Sequence, residues 1–223
     1  MEQCSLFGIF GGLVQLTLAS ICFFSLFVKR YYEHPPRPLI IFILDTSKQI
    51  VSAILAHVMN LMAAVILTNR QGDENPCCWY FINISIDCTI GVFSAYTLLK
   101  LVEKISWHKG WLKLISGYYS ELSEDEVDLG IWALQLMCWG TIIITTKWIL
   151  IILIIIYSQQ LSEIGNYVLE PLASNPREEL IVVMIIVPLL FNIIQLWVCD
   201  SFLKAKPGSK SPAIIMRESI EKL

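Results

Sequence analysis

The segment GIWALQLMCWGTIIITTKWILIILIIIY, from Gly130 to Tyr157, decides the fold class of this protein. Its single charged residue is Lys147, and the segment is long enough to cross about 30 Å of hydrocarbon at about 1.5 Å per helical residue. Its apolar residues are continuous and do not alternate with polar ones, as they would in the strands of a membrane β-barrel. Since every backbone amide in lipid must be bonded within the protein, the segment predicts a transmembrane α-helix.

Four other segments have the same apolar character, and together the five define the architecture. Hydrophobic residues make up 56% of the chain and charged residues 16%, against about 45–50% and about 25% in globular proteins. We therefore predict an all-α polytopic membrane bundle of five helices. The spans are at about 6–28, 49–68, 78–102, 130–157 and 180–202, between a short lumenal N-terminus (1–5) and a short basic cytosolic tail (203–223).

Lysine and arginine residues concentrate on one side of the predicted spans. Cytosolic loops of membrane proteins are enriched in these residues. This side is therefore predicted to be cytosolic, with the N-terminus in the lumen and the C-terminus in the cytosol. The basic residues on this side lie in the loop between spans one and two, in the loop between spans three and four, and in the tail: Lys29, Arg30, Arg37, Lys48, Lys100, Lys104, Lys109, Lys113, Lys204, Lys206, Lys210, Arg217 and Lys222.

Two ionisable residues, Asp87 and Lys147, fall inside spans three and four. They are predicted at similar depths in the membrane, where each charge is costly alone and where pairing offsets much of that cost. The favoured interpretation is a clamp that packs the two helices together; a proton or ion relay and separate partners are the alternatives. The further polar side chains that we place in the interior are Asn83, His57, Asn60 and Asn192.

A charged motif, Asp45-Thr46-Ser47-Lys48-Gln49, precedes the second predicted span. Pro38 suits the first turn of a helix, so we expect a helix that begins before the bilayer and pairs the aspartate and the lysine on one face. We interpret the motif as an interfacial charge cluster that anchors the span, or else as a binding element for a cytosolic or lipid partner. The segment Trp107–Leu114 likewise suits a helix lying in the headgroup region.

Small residues at helical spacing predict places where helices approach one another closely. Gly8 and Gly12 form such a pair in span one, and Gly91 and Ala95 form a looser pair in span three. We interpret both pairs as helix-association faces. Association between copies of the chain is left open.

Three cysteines, Cys4, Cys77 and Cys78, fall on the predicted lumenal side. An oxidising lumen permits disulfide bonds. We therefore expect Cys4 to bond to Cys77 or Cys78 and to tie span one to the second lumenal loop. A metal site at the adjacent cysteines is not expected, because no lumenal histidine completes the ligand set.

The sequence carries no catalytic or cofactor-binding signature. A nucleophile elbow, a phosphate loop and an HExxH motif are all missing, so we predict a protein that is not an enzyme and uses no cofactor. The formal net charge of −3 argues against nucleic acid as a partner. Membrane lipid is the expected environment.

Four sequence blocks resemble the STIMATE family, the transmembrane protein 110 family of store-operated calcium entry regulators. They are Leu44-Asp45-Thr46-Ser47-Lys48-Gln49, Asn75-Pro76-Cys77, Ile82-Asn83-Ile84-Ser85-Ile86-Asp87, and the pattern Val187-Pro188, Asn192, Trp197 and Asp200. The resemblance runs from about Phe7 to Phe202, and the first block is its most specific part.

The resemblance implies a non-catalytic adaptor in the endoplasmic reticulum membrane, placed at junctions with the plasma membrane. By the same resemblance its partner is the stromal interaction molecule, a lumenal calcium sensor whose extended form opens Orai channels. The family's GxxxG element for sensor association corresponds here to Gly130 and Leu134, so a leucine replaces the second glycine. The alternatives are a small channel or transporter that uses the polar residues inside the spans, and a scaffold for membrane contacts.

Overall fold

The computed structural model describes residues 9–71, 76–120, 127–205, 212 and 214–216. Across these residues the protein is all-helical. Five of its helical stretches are long and apolar enough to cross a membrane. The predicted fold class, an all-α bundle of about five transmembrane helices, is confirmed. The helices are α1 (Ile9–Tyr31), α2 (Leu39–Gln71), α3 (Pro76–Ile86), α4 (Val92–Lys109), α5 (Leu129–Ile156), α6 (Ser158–Leu169), α7 (Pro176–Ile181) and α8 (Val187–Leu203).

Two of the five membrane helices contain a short π-helical turn. Asp87–Gly91 joins α3 to α4, and Val182–Ile186 joins α7 to α8. The second turn has a local cause in Pro188, which lacks an N–H and whose ring clashes with the carbonyl four residues earlier in a regular α-helix. The wider π turn just before this proline accommodates the mismatch.

The second span begins earlier than the sequence predicts. Its apolar stretch in the structure is Leu39–Asn60, whereas the sequence analysis places its start at residue 49. Asp45 and Lys48 are both fully buried and belong to the continuous helix α2 rather than to its approach. Charges mark the end of a span only when they face water, and here they face other helices.

The bundle packs around two main helix pairs, α2 with α5 and α1 with α8. At Gly140 of α5, a Cβ would lie 3.4 Å from Leu55 of α2, which is ordinary van der Waals contact. An apolar cluster between α4, α5 and α8 fills the space beside this pair. Its buried members are Ala95, Leu99, Trp139, Ile142, Cys199 and Leu203.

Helix α6 is an element that the sequence analysis leaves unassigned. Its buried residues Ser162, Gly165 and Leu169 recur at helical spacing and face α3. A Cβ on Gly165 would lie only 2.5 Å from the sulfur of Cys78, so the close approach of α6 to α3 requires glycine at this position. The short amphipathic period of α6 was readable in the sequence, but its length falls below that of a membrane span.

The connection from α4 to α5 contains two glycines with positive φ. Gly110 (71°) stands at its start, and Gly117 (88°) lies seven residues later. Gly110 ends α4, and a 3₁₀ turn at Leu112–Leu114 follows. The expectation of a separate interfacial helix at Trp107–Leu114 is therefore wrong: its first part is the last turn of α4. Left-handed backbone stops a helix at Gly110, because only glycine adopts it without steric cost.

We predict that Gly117→Ala destabilises the fold by at least about 2 kcal/mol. The residue combines a positive φ with a site where a Cβ would overlap the backbone of Lys204 and Ala205. Gly110→Ala, which has a positive φ but no neighbour within 4 Å, should cost about 1 kcal/mol. The free energy of unfolding is measured in mixed detergent micelles.

The control for this series is Gly12→Ala in α1, which also meets nothing within 4 Å and has no positive φ. Alanine favours a helix over glycine, so this variant should be at least as stable as the parent. Equal losses at Gly110 and Gly117 would show that the contact with the start of the tail contributes nothing.

Candidate functional site

The candidate site begins with Arg37, in the segment between α1 and α2. Its Nη2 donates to both carboxylate oxygens of Asp200 at 3.0 Å, and its Nη1 donates to Asp45 Oδ2 at 3.0 Å. Its Nε donates to Glu33 Oε2 at 2.9 Å. A planar guanidinium can serve three carboxylates in this way, whereas an ammonium cannot hold the same fork. Arg37 thus joins the connecting segment to α2 and α8.

Two lysines extend these bonds at the same end of the bundle. Lys29 of α1 pairs with Asp200 at 2.8 Å and also donates to the carbonyl of Trp197 at 2.6 Å. Lys204, just after α8, pairs with Glu33 at 2.6 Å. These contacts fasten the end of α1 to the end of α8.

A third arm of the cluster reaches α5 and the connection before it. Lys48 Nζ donates to Gln135 Oε1 at 3.2 Å and to Ser116 Oγ at 3.3 Å, and lies 3.6 Å from Asp45. The hydroxyl of Tyr119 donates to Asp45 through a short hydrogen bond. Gln135 in turn holds the connection through its amide, which donates to the carbonyls of residues 115 and 118 at 2.9 and 2.8 Å.

We call this cluster the basic-end network, and the end of the bundle that holds it the basic end. It joins α1, α2, α5 and α8 with both connecting segments at that end. Its members are Lys29, Glu33, Arg37, Asp45, Lys48, Ser116, Tyr119, Gln135, Asp200 and Lys204.

The electrostatics of the network keep Arg37 and Tyr119, which both lie outside the spans, protonated. Burial lowers the pKa of Arg37, but the carboxylates of Asp200, Asp45 and Glu33 outweigh this effect and raise that pKa above its ordinary value. Burial raises the pKa of Tyr119 well above its usual range, and the neighbouring Asp45 carboxylate raises it further. Tyr119 is therefore a neutral donor at any physiological pH.

The motif at residues 45–49 does not form the accessible surface that the sequence suggests. Asp45 and Lys48 are 0% exposed, Gln49 is 2% exposed and Thr46 is 7% exposed; Ser47 is half-buried and receives a hydrogen bond from Trp132 Nε1 at 3.1 Å. The predicted pairing of Asp45 with Lys48 is present, but inside the bundle. A buried motif cannot serve as a docking element for a cytosolic or lipid partner, so that interpretation is wrong.

The sequence analysis missed the two residues on which the network depends. Asp200 is the single charged residue of α8, and an ionisable group inside a span is a site candidate by default; that signal was available. Arg37 was counted only as evidence for topology. Tyr119 and Gln135 carried no sequence signal, because they acquire their role from partners that are distant in the chain.

A second polar cluster lies further along the same helices. Lys147 of α5 donates to Asn60 Oδ1 at 2.9 Å and forms a close ion pair with Asp87. The amide of Asn60 donates to Asp87 Oδ2 at 3.2 Å. We call these three residues the membrane triad. The pairing of Asp87 with Lys147 matches the depth argument from the sequence, and α2 supplies the third member.

The backbone at the membrane triad departs from a regular α-helix. Asp87 opens the π turn Asp87–Gly91, and a Cβ on Gly91 would lie 3.1 Å from a methyl carbon of Leu150 in α5. Gly91 and Ala95 are both buried, so this small-residue pair does bring helices together, within the chain. π turns often occur where a side chain is redirected for a specific contact, here the pair with Lys147.

The other polar residues predicted for the interior do not join the triad. His57 is exposed on the outside of the bundle, while Asn83 and Asn192 are half-buried. Within the described part of the chain, none of these three donates to or accepts from Asp87 or Lys147. The predicted interior position of His57 is wrong, because the face of α2 that carries His57 is exposed on the outside of the bundle.

The predicted association faces and the cysteines have mixed outcomes. Gly12 has no neighbour within 4 Å, and Gly8 and Cys4 lie outside the described residues. Gly130 is exposed, and a Cβ there would meet only the side chain of Asp128, the N-cap of its own helix. Cys77 is disulfide-bonded; that its partner is Cys4 stays a prediction.

Comparison with known proteins agrees with this architecture. A model of the STIMATE family matches residues 77–205, more than half of the chain. The chain belongs to the STIMATE family. The region matched by the STIMATE model runs from the start of α3 through α8 and contains Asp87, Gln135, Lys147 and Asp200, that is, members of both polar clusters.

One curated relative is a yeast membrane protein. Vacuolar membrane protein YPL162C of Saccharomyces cerevisiae is 30% identical over 128 residues, which cover 53% of this chain and 47% of the relative. This chain therefore spans about half the length of that relative. No solved structure matches the chain. These comparisons and the five apolar helices make it a multi-pass membrane protein.

We predict that Arg37→Lys destabilises the protein by about 2 kcal/mol, the value of a lost hydrogen bond to a charged group. Lysine keeps the charge but cannot bridge Asp45, Asp200 and Glu33 at once. The matched control is Arg177→Lys at an exposed position, which should change stability by less than about 0.5 kcal/mol. Equal losses of unfolding free energy at the two positions, measured in detergent, would contradict a bridging role for Arg37.

We predict strong coupling between Asp87 and Lys147 in a double-mutant cycle. Asp87→Asn and Lys147→Met each leave a buried charge without its partner, and each should cost about 3–5 kcal/mol. The double variant should be more stable than the sum of the two losses implies, by about 1–3 kcal/mol. Lys104→Met, at an exposed position, is the control, and additive losses would rule out the pair as an energetic unit.

Proposed function

We propose that this protein is a non-catalytic adaptor of the endoplasmic reticulum membrane that regulates store-operated calcium entry. In this proposal it associates with the stromal interaction molecule, the lumenal calcium sensor, at junctions with the plasma membrane. Membership of the STIMATE family is the observation that carries the proposal. The yeast relative is named as a vacuolar membrane protein, so the proposed location in the endoplasmic reticulum is the first claim to test.

The distribution of polar groups supports a role in binding rather than chemistry. The carboxylates of Asp45, Asp87 and Asp200 are all engaged by cationic partners inside the bundle. Within the described ranges, no group of three or more His, Cys, Asp or Glu is placed to hold a metal ion. The network therefore stabilises a scaffold whose outward helix faces remain for partners.

One outward face coincides with the family's association element. Gly130 is exposed, and Leu134, one turn later on α5, is 40% exposed. Two helices approach closely where small residues line the contact. Leu134 holds a partner helix further away than a glycine would, so we propose that this member binds the sensor through the same face with lower affinity.

The regulatory effect requires a difference in affinity. A binding partner shifts a conformational equilibrium only by as much as it prefers one state over the other. The adaptor must therefore bind the extended, active form of the sensor more tightly than the resting form. Equal affinity for both forms would produce association without regulation.

The test is co-purification with the calcium sensor before and after store depletion. Leu134→Gly should increase recovery of the sensor by about tenfold, corresponding to about 1.4 kcal/mol of closer packing. Leu134→Trp should abolish it. Leu190→Gly on α8, also an exposed leucine (55%), is the matched control and should leave recovery unchanged.

Two results would contradict the proposal. Failure of every variant to recover the sensor, with the protein present at normal levels, would remove the adaptor role. Imaging that places the protein in a vacuolar or lysosomal membrane rather than the reticulum would remove the proposed location.

A further inference from the structure

The start of the C-terminal tail is fixed against the connection between α4 and α5. Ser116 Oγ donates to the carbonyl of Leu203 at 2.8 Å. Next to it, the backbone of Gly117 approaches Lys204 and Ala205 so closely that a Cβ there would lie 2.7 Å from the carbonyl carbon of Lys204. The tail therefore leaves the bundle along this connection rather than from an open helix end.

A cleft lies immediately beside this exit. One wall is the connection itself, at residues 110–114, with Tyr118 and Ser120; the other is the first part of α5, at Ile131 and Leu134. Pro212 of the tail also lines the cleft, and it is buried. The tail thus returns to the bundle on the outward face of α5 that carries Leu134.

The amino-acid sequence of the tail explains why the segment around Pro212 is buried. Residues 212–216, Pro-Ala-Ile-Ile-Met, form the longest apolar run of the tail. Ile214 and Met216 are half-buried, whereas Ile215 is 39% exposed. Burial of apolar side chains in an apolar cleft is favourable, and attachment to the same chain raises the effective concentration of the tail at the cleft.

We propose that the tail, through Pro212, is an internal ligand of this cleft and competes with a partner helix for the Leu134 face of α5. This inference deepens the proposed function and rests on it. Packed helices have axes about 8–10 Å apart. A helix lying along Gly130 and Leu134 therefore needs the volume that Pro212 occupies.

The consequence is regulation by displacement. The affinity of a partner for the face is reduced by the fraction of molecules in which the tail occupies it. Anything that lifts the tail strengthens association without altering the α5 surface. The leucine at position 134 and the tail then act in the same direction, since both lower the affinity of the resting protein.

The first experiment tests the contact in the full-length protein in membranes, without the sensor. A benzoylphenylalanine photocrosslinker replaces Leu134, and the captured peptide is identified by mass spectrometry. Capture of residues within 212–216 is expected. Pro212→Asp should reduce this crosslink by about tenfold, because an ionised carboxylate is costly to bury in an apolar cleft.

Two controls make the crosslink specific. Ile215→Asp, at an exposed position of the same tail segment, should retain most of the crosslink. The same photocrosslinker at Leu190 of α8 should not capture the tail. No capture of the tail from position 134, or equal capture from both positions, overturns the inference.

The second experiment measures recovery of the stromal interaction molecule with the wild-type tail and with Pro212→Asp. Recovery several times higher for Pro212→Asp than for Ile215→Asp supports displacement. Equal recovery by wild type and Pro212→Asp overturns competition, even if the crosslink forms. If no variant recovers the sensor while the crosslink forms, the proposed function fails and the tail contact stands, so the two failures are distinguishable.

Discussion

The free energy cost of an unpaired charge away from water governs this structure. Asp200 is fully buried near the end of a helix that carries no other charge, and Asp45 and Lys48 are fully buried in α2. Each such group is strongly destabilising unless a partner neutralises it and hydrogen bonds satisfy its remaining atoms. Arg37 meets this requirement for both carboxylates, and the position of the segment between α1 and α2 follows from it.

The two polar clusters connect different sets of helices. The basic-end network ties α1 and α8 to α2 and α5, and the membrane triad ties α2 and α5 to the π turn between α3 and α4. Lipid is as apolar as the helix surfaces, so packing and polar contacts between helices supply the specificity that the hydrophobic effect supplies in water. Two separate sets of cross-links fix the relative positions of all five membrane helices.

This organisation has a consequence for function. Because the buried carboxylates are bonded to cations inside the bundle, they are not offered to partners, and apolar helix faces such as the start of α5 remain exposed. The cross-links at the basic end also fix the connection between α4 and α5, through Gln135 and Ser116, and so shape the cleft that receives Pro212. A rigid scaffold, a helix face and a tail segment that returns to it are the parts that the proposed adaptor requires for a regulated affinity.

The sequence alone determined the fold class and the number of membrane-spanning helices, because long continuous apolar runs in lipid satisfy their backbone hydrogen bonds as helices. It also indicated the pair of Asp87 and Lys147, because opposite charges at similar depth in the membrane offset part of each other's free energy cost when they pair. Only the tertiary structure decided that Arg37, Tyr119 and Gln135 complete the site, that Asp45 and Lys48 face inward, and that His57 faces outward. The physical reason is that the rotation of a helix about its axis is set by contacts with distant segments, and composition and periodicity do not encode those contacts when every face of the helix is apolar enough to be buried.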